Sequence, residues 1–126
     1  MEKKKILVID DEFPVANLIK INLEDAGYQV DIALEGKSAL EKMGNNLPDL
    51  ITLDLLMPKM NGFQLLKALK KDQRYCKIPV VIVSVVTGAE KKKGFRLGAL
   101  DFVEKPINFE YLFKLVERIK NVLLTS

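Results

Sequence analysis

The sequence predicts an α/β protein built as a three-layer, doubly wound, five-stranded parallel sheet. Two observations carry this. Apolar runs of strand length recur at Ile6–Ile9, Val30–Ala33, Leu50–Leu53, Val80–Val83 and Phe102–Val103. Three of these are continuous rather than alternating, the mark of strands buried on both faces. The segments between them are spaced for helices, and strands alternating with helices fold as parallel βαβ units with right-handed crossovers.

In chain order, Ile6–Ile9 is the first strand. The first helix carries its apolar face on Val15, Leu18, Ile19, Leu23 and Ala26, and Gly27 stops it. Val30–Ala33 is the second strand, and the alternation calls for a helix after it. Leu50–Leu53 is the third strand. Asn61, with Gln64 three residues on, predicts a capping box for a third helix marked by Phe63, Leu66 and Leu69. Val80–Val83 is the fourth strand, followed by a second capping box, Thr87–Gly88–Ala89–Glu90, ahead of a lysine-rich fourth helix. Phe102–Val103 is the fifth strand. The last stripe is Leu112, Leu115, Val116, Ile119 and Leu123, capped by Asn108. Five such units in 126 residues suit the flavodoxin-like strand order 2-1-3-4-5, in which ligands sit at the carboxyl ends of the strands. The length suits one domain over residues 1–126, since two would each be too small to bury a core.

Composition removes several chemistries. The chain has no histidine, which excludes Ser-His-Asp and Cys-His catalysis, histidine-ligated metals and a phosphohistidine of its own. Its one cysteine, Cys76, cannot form an intrachain disulfide, so a reducing, cytoplasmic setting is expected. No apolar segment reaches the ~20 residues of a membrane span, and the basic start is followed at once by Asp10–Asp11–Glu12, unlike a signal peptide. The net charge of +3 is too weak, without a reading module, to predict direct nucleic-acid binding.

The strand ends carry the functional signal. The first ends in Asp10–Asp11–Glu12, the third in Asp54, the fourth in Ser84, the fifth in Lys105–Pro106, and the second blandly in Ala33–Leu34. In the order 2-1-3-4-5, strands 1, 3, 4 and 5 lie side by side, so these groups converge. Asp54 sits in an almost apolar stretch, and nearby Asp10 and Asp11 would repel it unless a cation completes the cluster. Carboxylates and water without Cys or His suit a hard ion, and an open octahedral shell favours Mg²⁺. With Lys105 as a second positive charge and Ser84 as a hydrogen-bond donor, the site suits a phosphoryl group, and the central Asp54 is the natural nucleophile for an acyl phosphate. Taken singly, each residue has an ordinary alternative: a strand-end Asp caps, a Ser closes a turn, a Lys is solvated. Four complementary strand ends together are not explained that way.

The ordered set Ile6–Glu12, Asp54–Gly62, Ser84 and Gly98–Pro106 resembles the receiver domain of two-component response regulators, over essentially the whole chain. The resemblance implies that Asp54 is the phosphoacceptor, charged by a phosphohistidine on a sensor histidine kinase or phosphotransfer protein. It implies that Asp10, Asp11, Asp54 and the Leu56 backbone carbonyl hold Mg²⁺. Lys105 would contact the phosphoryl oxygens, with a cis bond to Pro106. Ser84 would swing towards the phosphoryl group and Phe102 turn inward behind it, changing the surface of helix 4, strand 5 and helix 5 for an output partner or fused effector domain. Phosphorylation-dependent homodimerisation through that surface fits the same scheme. A receiver is a signalling domain rather than an enzyme, assisting its own phosphotransfer and dephosphorylation. It would stand alone or form part of a longer regulator.

Two positions depart from the family pattern. Val85 stands where a small residue is usual, which predicts slow phosphotransfer and slow hydrolysis. Phe102 lacks a tyrosine hydroxyl, so its movement would be governed by packing. Lys91–Lys92–Lys93 on helix 4 and Lys70–Lys71 at the end of helix 3 read as solvated faces, with an acidic partner for helix 4 as the alternative. Rival functions fit less well. A haloacid-dehalogenase-type phosphatase needs a second Asp where Leu56 stands; a flavin carrier needs a phosphate loop where Asp10–Asp11–Glu12 would repel it. A degenerate receiver used only for docking would not keep acceptor, acidic pair, hydroxyl and lysine together.

Overall fold

The computed structural model describes residues 3–57, 61–85, 88–105 and 109–125. Five strands, β1 (Lys5–Ile9), β2 (Gln29–Ala33), β3 (Leu50–Leu53), β4 (Val80–Ser84) and β5 (Asp101–Glu104), alternate with five helices. These are α1 (Phe13–Asp25), α2 (Gly36–Asn45), α3 (Gly62–Lys71), α4 (Gly88–Arg96) and α5 (Phe109–Thr125). All neighbouring strands pair in parallel, in the order β2-β1-β3-β4-β5. This is the predicted flavodoxin-like sheet.

The pleat divides each strand between two cores. Leu7 and Ile9, Ile51 and Leu53, Ile82 and Phe102 point to the side covered by α2, α3 and α4, where they meet Ala39, Met43, Leu65, Leu66 and Leu69. Ile6 and Val8, Leu50, Val81, Val83 and Val103 point to the other side and meet Ala16, Ile19 and Leu23 of α1 and Leu112, Leu115, Ile119 and Val122 of α5. β1, β3 and β4 are buried almost throughout, with Thr52 and Ser84 the buried polar residues among them, because both of their faces are covered.

The helical stripes need one revision. On α1 the buried residues are Ala16, Ile19 and Leu23, whereas Leu18 is 39% exposed. At 100° per residue Leu18 stands about 140° around the helix from Leu23, too far to share its face. On α3 the buried set gains Leu65 beside Leu66 and Leu69, with Phe63 at the margin. α2, which has no strong stripe in sequence, is held by Ala39 and Met43. Gly27 ends α1 at a φ of +100°, where a side chain would be strained. The predicted caps at Thr87 and Asn108 and the Lys105–Pro106 bond lie outside the described residues.

Candidate functional site

The sheet ladder runs one residue beyond β1 and β3. The amide of Asp10 donates to the Ala33 carbonyl (3.1 Å) and that of Asp54 to the Ile9 carbonyl (3.0 Å), so the two carboxylates stand on adjacent strands. β4 brings Ser84 alongside, fully buried, and the Lys105 amide donates to the Ser84 carbonyl (3.1 Å), carrying the lysine in from β5.

α3 fixes the other wall. Asn61 caps it, accepting from the Gln64 amide (2.9 Å), while the Gln64 side chain accepts from the Asn61 amide (3.2 Å). Gly62, the first residue inside the helix, donates to the Leu55 carbonyl (2.9 Å). It has no room for a side chain, because a Cβ there would overlap the Asp54 carbonyl oxygen and lie 2.5 Å from Leu55 Cα.

Asp54 is buried and engaged at both oxygens. Its Oδ1 accepts from Ser84 Oγ (2.8 Å) and the Leu56 amide (3.1 Å); its Oδ2 accepts from Lys105 Nζ (3.1 Å). Lys105 Nζ also reaches Asp10 Oδ2 (2.7 Å) and, more distantly, Glu12 Oε1 (3.9 Å). Asp10 Oδ1 accepts from the Glu12 amide (2.9 Å). Burial pushes the Asp10 carboxyl above the ordinary carboxylate range, and its hydrogen bonds from Lys105 and the Glu12 amide only partly oppose this. Burial alone would lower the Lys105 ammonium; its bonds and charge attraction to Asp10 and Asp54 outweigh that and raise it.

The charges do not balance. Asp10, Asp11, Glu12 and Asp54 each place a carboxylate oxygen within 4.8 Å of all the others, against one ammonium among the described residues, that of Lys105. Asp11 Oδ1 is buried with no hydrogen-bond partner among the described residues. An orphaned anionic oxygen in an all-oxygen cluster fits a hard divalent cation.

Of the residues singled out from sequence at strand ends, Asp10, Asp11, Asp54, Ser84 and Lys105 therefore stand together at this edge. Glu12, read as part of the acidic run but not as a ligand, joins the cluster, and the consecutive carboxylates were its signal. Leu56 contributes its amide to Asp54 and leaves its side chain 52% exposed. Ser84 donates to Asp54, and Phe102 is buried, 3% exposed and packed in the core. Lys70 is no solvated lysine: its Nζ donates to the Cys76 (3.2 Å) and Ile78 (2.9 Å) carbonyls, tying down the segment that leads into β4.

Residues 6–117 match the family model of the response regulator receiver domain. The chain belongs to that family. The receiver is 37% identical over 116 residues to the DNA-binding dual master transcriptional regulator RpaA of Synechocystis sp., a match covering 91% of this chain and 48% of RpaA. The chain spans about half the length, or less, of the curated relatives it matches. Among solved structures, the chemotaxis protein CheY4 of Vibrio cholerae superposes with a TM-score of 0.85 at 32% identity, covering 94% of this chain and 99% of CheY4. The Mn²⁺-bound form of the response regulator Rcp1 superposes with a TM-score of 0.81 at 25% identity, covering 93% and 91% of the two chains. The receiver is thus a two-component signalling domain. Among its described residues no helix is long and apolar enough to cross a membrane.

Proposed function

We propose that this receiver accepts a phosphoryl group on Asp54 from a phosphohistidine of a sensor kinase or phosphotransfer protein. The observation that carries the reading is the setting of Asp54: a buried carboxylate held between the Ser84 hydroxyl and the Lys105 ammonium, beside two further aspartates, one with an orphaned oxygen. An Asp54 carboxylate oxygen attacks phosphorus. The bond from phosphorus to the donor's imidazole nitrogen breaks, that nitrogen keeps the electron pair, and Asp54 becomes an acyl phosphate. Water later attacks phosphorus, the bond from phosphorus to the Asp54 oxygen breaks, and the carboxylate is restored as inorganic phosphate leaves. Lys105 and Ser84, already on separate Asp54 oxygens, are placed to hold phosphoryl oxygens as negative charge moves onto them.

Asp10, Asp11, Asp54 and the Leu56 carbonyl would hold Mg²⁺, with Glu12 at the margin. Bound there, the ion supplies charge neutralisation for the phosphoryl oxygens and orientation of the acceptor. The orphaned Asp11 oxygen and the Mn²⁺-bound relative Rcp1 support a divalent ion. Ser84 and Phe102 form the switch, coupling Asp54 to the surface of α4, β5 and α5, where an output protein, a fused effector domain or a second copy would bind. The setting is cytoplasmic, and the chain itself reads no nucleic acid. Val85, next in the chain to Ser84 and 58% exposed, is the bulky residue that would slow both donor and water.

The test is incubation with Mg²⁺ and acetyl phosphate, or beryllofluoride, followed by intact mass or fluorine NMR. One adduct is expected on the wild type and none on Asp54→Asn. Turnover of a phosphomonoester would favour the phosphatase instead, and inertness of both proteins would mark a docking-only receiver.

A further inference from the structure

Each edge strand of the sheet carries an aspartate, and the three strands between them carry no acidic residue. Aspartate is disfavoured in strands, so its place at both edges asks for a physical reason. At β2, Asp31 Oδ1 accepts from the Ile32 amide (2.8 Å) and from Lys42 Nζ (2.9 Å), and Lys42 Nζ also donates to the Ile32 carbonyl (2.7 Å). At β5, Asp101 Oδ1 accepts from the Phe102 amide (2.7 Å) and from Arg118 Nη1 (2.6 Å). The same guanidinium nitrogen donates to the Phe102 carbonyl (3.0 Å). The two clamps are built alike, although their cations come from opposite sides of the sheet, Lys42 from α2 and Arg118 from α5.

The backbone groups they take are the ones the sheet leaves over. The Gln29 amide donates to the Lys4 carbonyl and the Ala33 carbonyl accepts from Asp10, so odd-numbered residues of β2 face β1 and Ile32 faces outward. At the other edge the Lys105 amide bonds to the Ser84 carbonyl, which turns the backbone of Phe102, three residues earlier, away from β4. An outward N–H and C=O on an edge strand form a template for another strand. As ion pairs alone the clamps would contribute little, since the Lys42, Asp31 and Arg118 side chains are substantially exposed. What the two have in common is that they occupy the pairing groups. We infer that the Asp31–Lys42 clamp closes the β2 edge against strand addition by a second copy of this chain, and that the Asp101–Arg118 clamp protects β5 in the same way. Edge closure is a property beyond the phosphoacceptor role and does not require it.

Asp31→Thr and Lys42→Ala test the β2 clamp, because threonine suits a strand and alanine a helix while neither can bridge the Ile32 amide and carbonyl. By amide NMR, hydrogen exchange at Ile32 should quicken about tenfold in Asp31→Thr, the worth of one hydrogen bond, and exchange at Phe102 likewise in Asp101→Thr. In sedimentation velocity of the unmodified chain, Asp31→Thr and Lys42→Ala should self-associate at concentrations where the wild type does not, and the Ile32 amide should regain protection in the associated species. Arg74→Ala, which removes an exposed ion pair in the turn after α3, should sediment as the wild type does. Unchanged exchange at Ile32, or both β2 variants sedimenting as the wild type at every concentration, would overturn the inference. So would equal association in Arg74→Ala, or association that leaves the Ile32 amide exchanging fast.

Discussion

At the residue scale the decisive group is Lys105. Among the described residues it is the one cation in contact with Asp10 and Asp54, with a side chain only 8% exposed. Replacing it by Met leaves buried like charges facing each other, and breaking such a pair typically costs 3–5 kcal/mol. Lys105→Met should therefore lose about 3 kcal/mol of stability at pH 7 by urea denaturation, with Mg²⁺ restoring part of it. The pH dependence has a definite sign. Because the folded protein holds the Lys105 proton more tightly than the unfolded chain, its contribution is complete below the ordinary lysine value of 10.5 and is lost as pH rises through the higher folded value. The gap in urea midpoint between wild type and Lys105→Met should stay constant from neutral pH to about 10 and close above it. Val85 belongs to the same scale: Val85→Ala should accelerate both phosphorylation by acetyl phosphate and loss of the label, and unchanged rates would remove the steric argument.

At the scale of elements, the approach of α3 to the end of β3 sets where Asp54 points. Gly62→Ala would press a Cβ into backbone that has nowhere to go, and should cost roughly 1–3 kcal/mol and weaken beryllofluoride binding as Asp54 is displaced. Gly94 on α4 gives the contrast. A Cβ there would meet the Ile82 side-chain terminus at 2.6 Å, which a rotamer change can relieve, so Gly94→Ala should cost less in the same urea titration and leave beryllofluoride affinity intact. The Asn61 cap and Gly27 stop were legible because capping and left-handed turns are local chemistry. The role of Lys70 was not: the carbonyls it satisfies belong to Cys76 and Ile78, and nothing in a Lys–Lys pair distinguishes a staple from a solvated side chain. Leu18 was misplaced for a related reason, since an apolar residue on α1 joins the core only if the sheet lies on its side.

At the scale of the molecule, the site draws on four strand ends, so a ligand that binds it holds the folded state together. Mg²⁺ with beryllofluoride at 100 times its dissociation constant should add about 2.7 kcal/mol, of order 10 °C in Tm for a chain this size, and Asp54→Asn should abolish the shift measured by calorimetry.

What the sequence determined by itself was the architecture and the chemistry of the edge. Buried strands need continuous apolar runs, their periodicity sets five βα units, and the residues ending those runs stand at one edge of a parallel sheet. Asp10, Asp11, Asp54, Ser84 and Lys105 were all readable on that ground. Only the tertiary structure decided how they engage. It puts Lys105 between Asp10 and Asp54, gives the Ser84 hydroxyl to Asp54, seats Phe102 in the core and leaves one Asp11 oxygen without a partner. Those outcomes depend on contacts of 2.7–3.1 Å between groups tens of residues apart, which follow from packing of the whole sheet rather than from any local pattern.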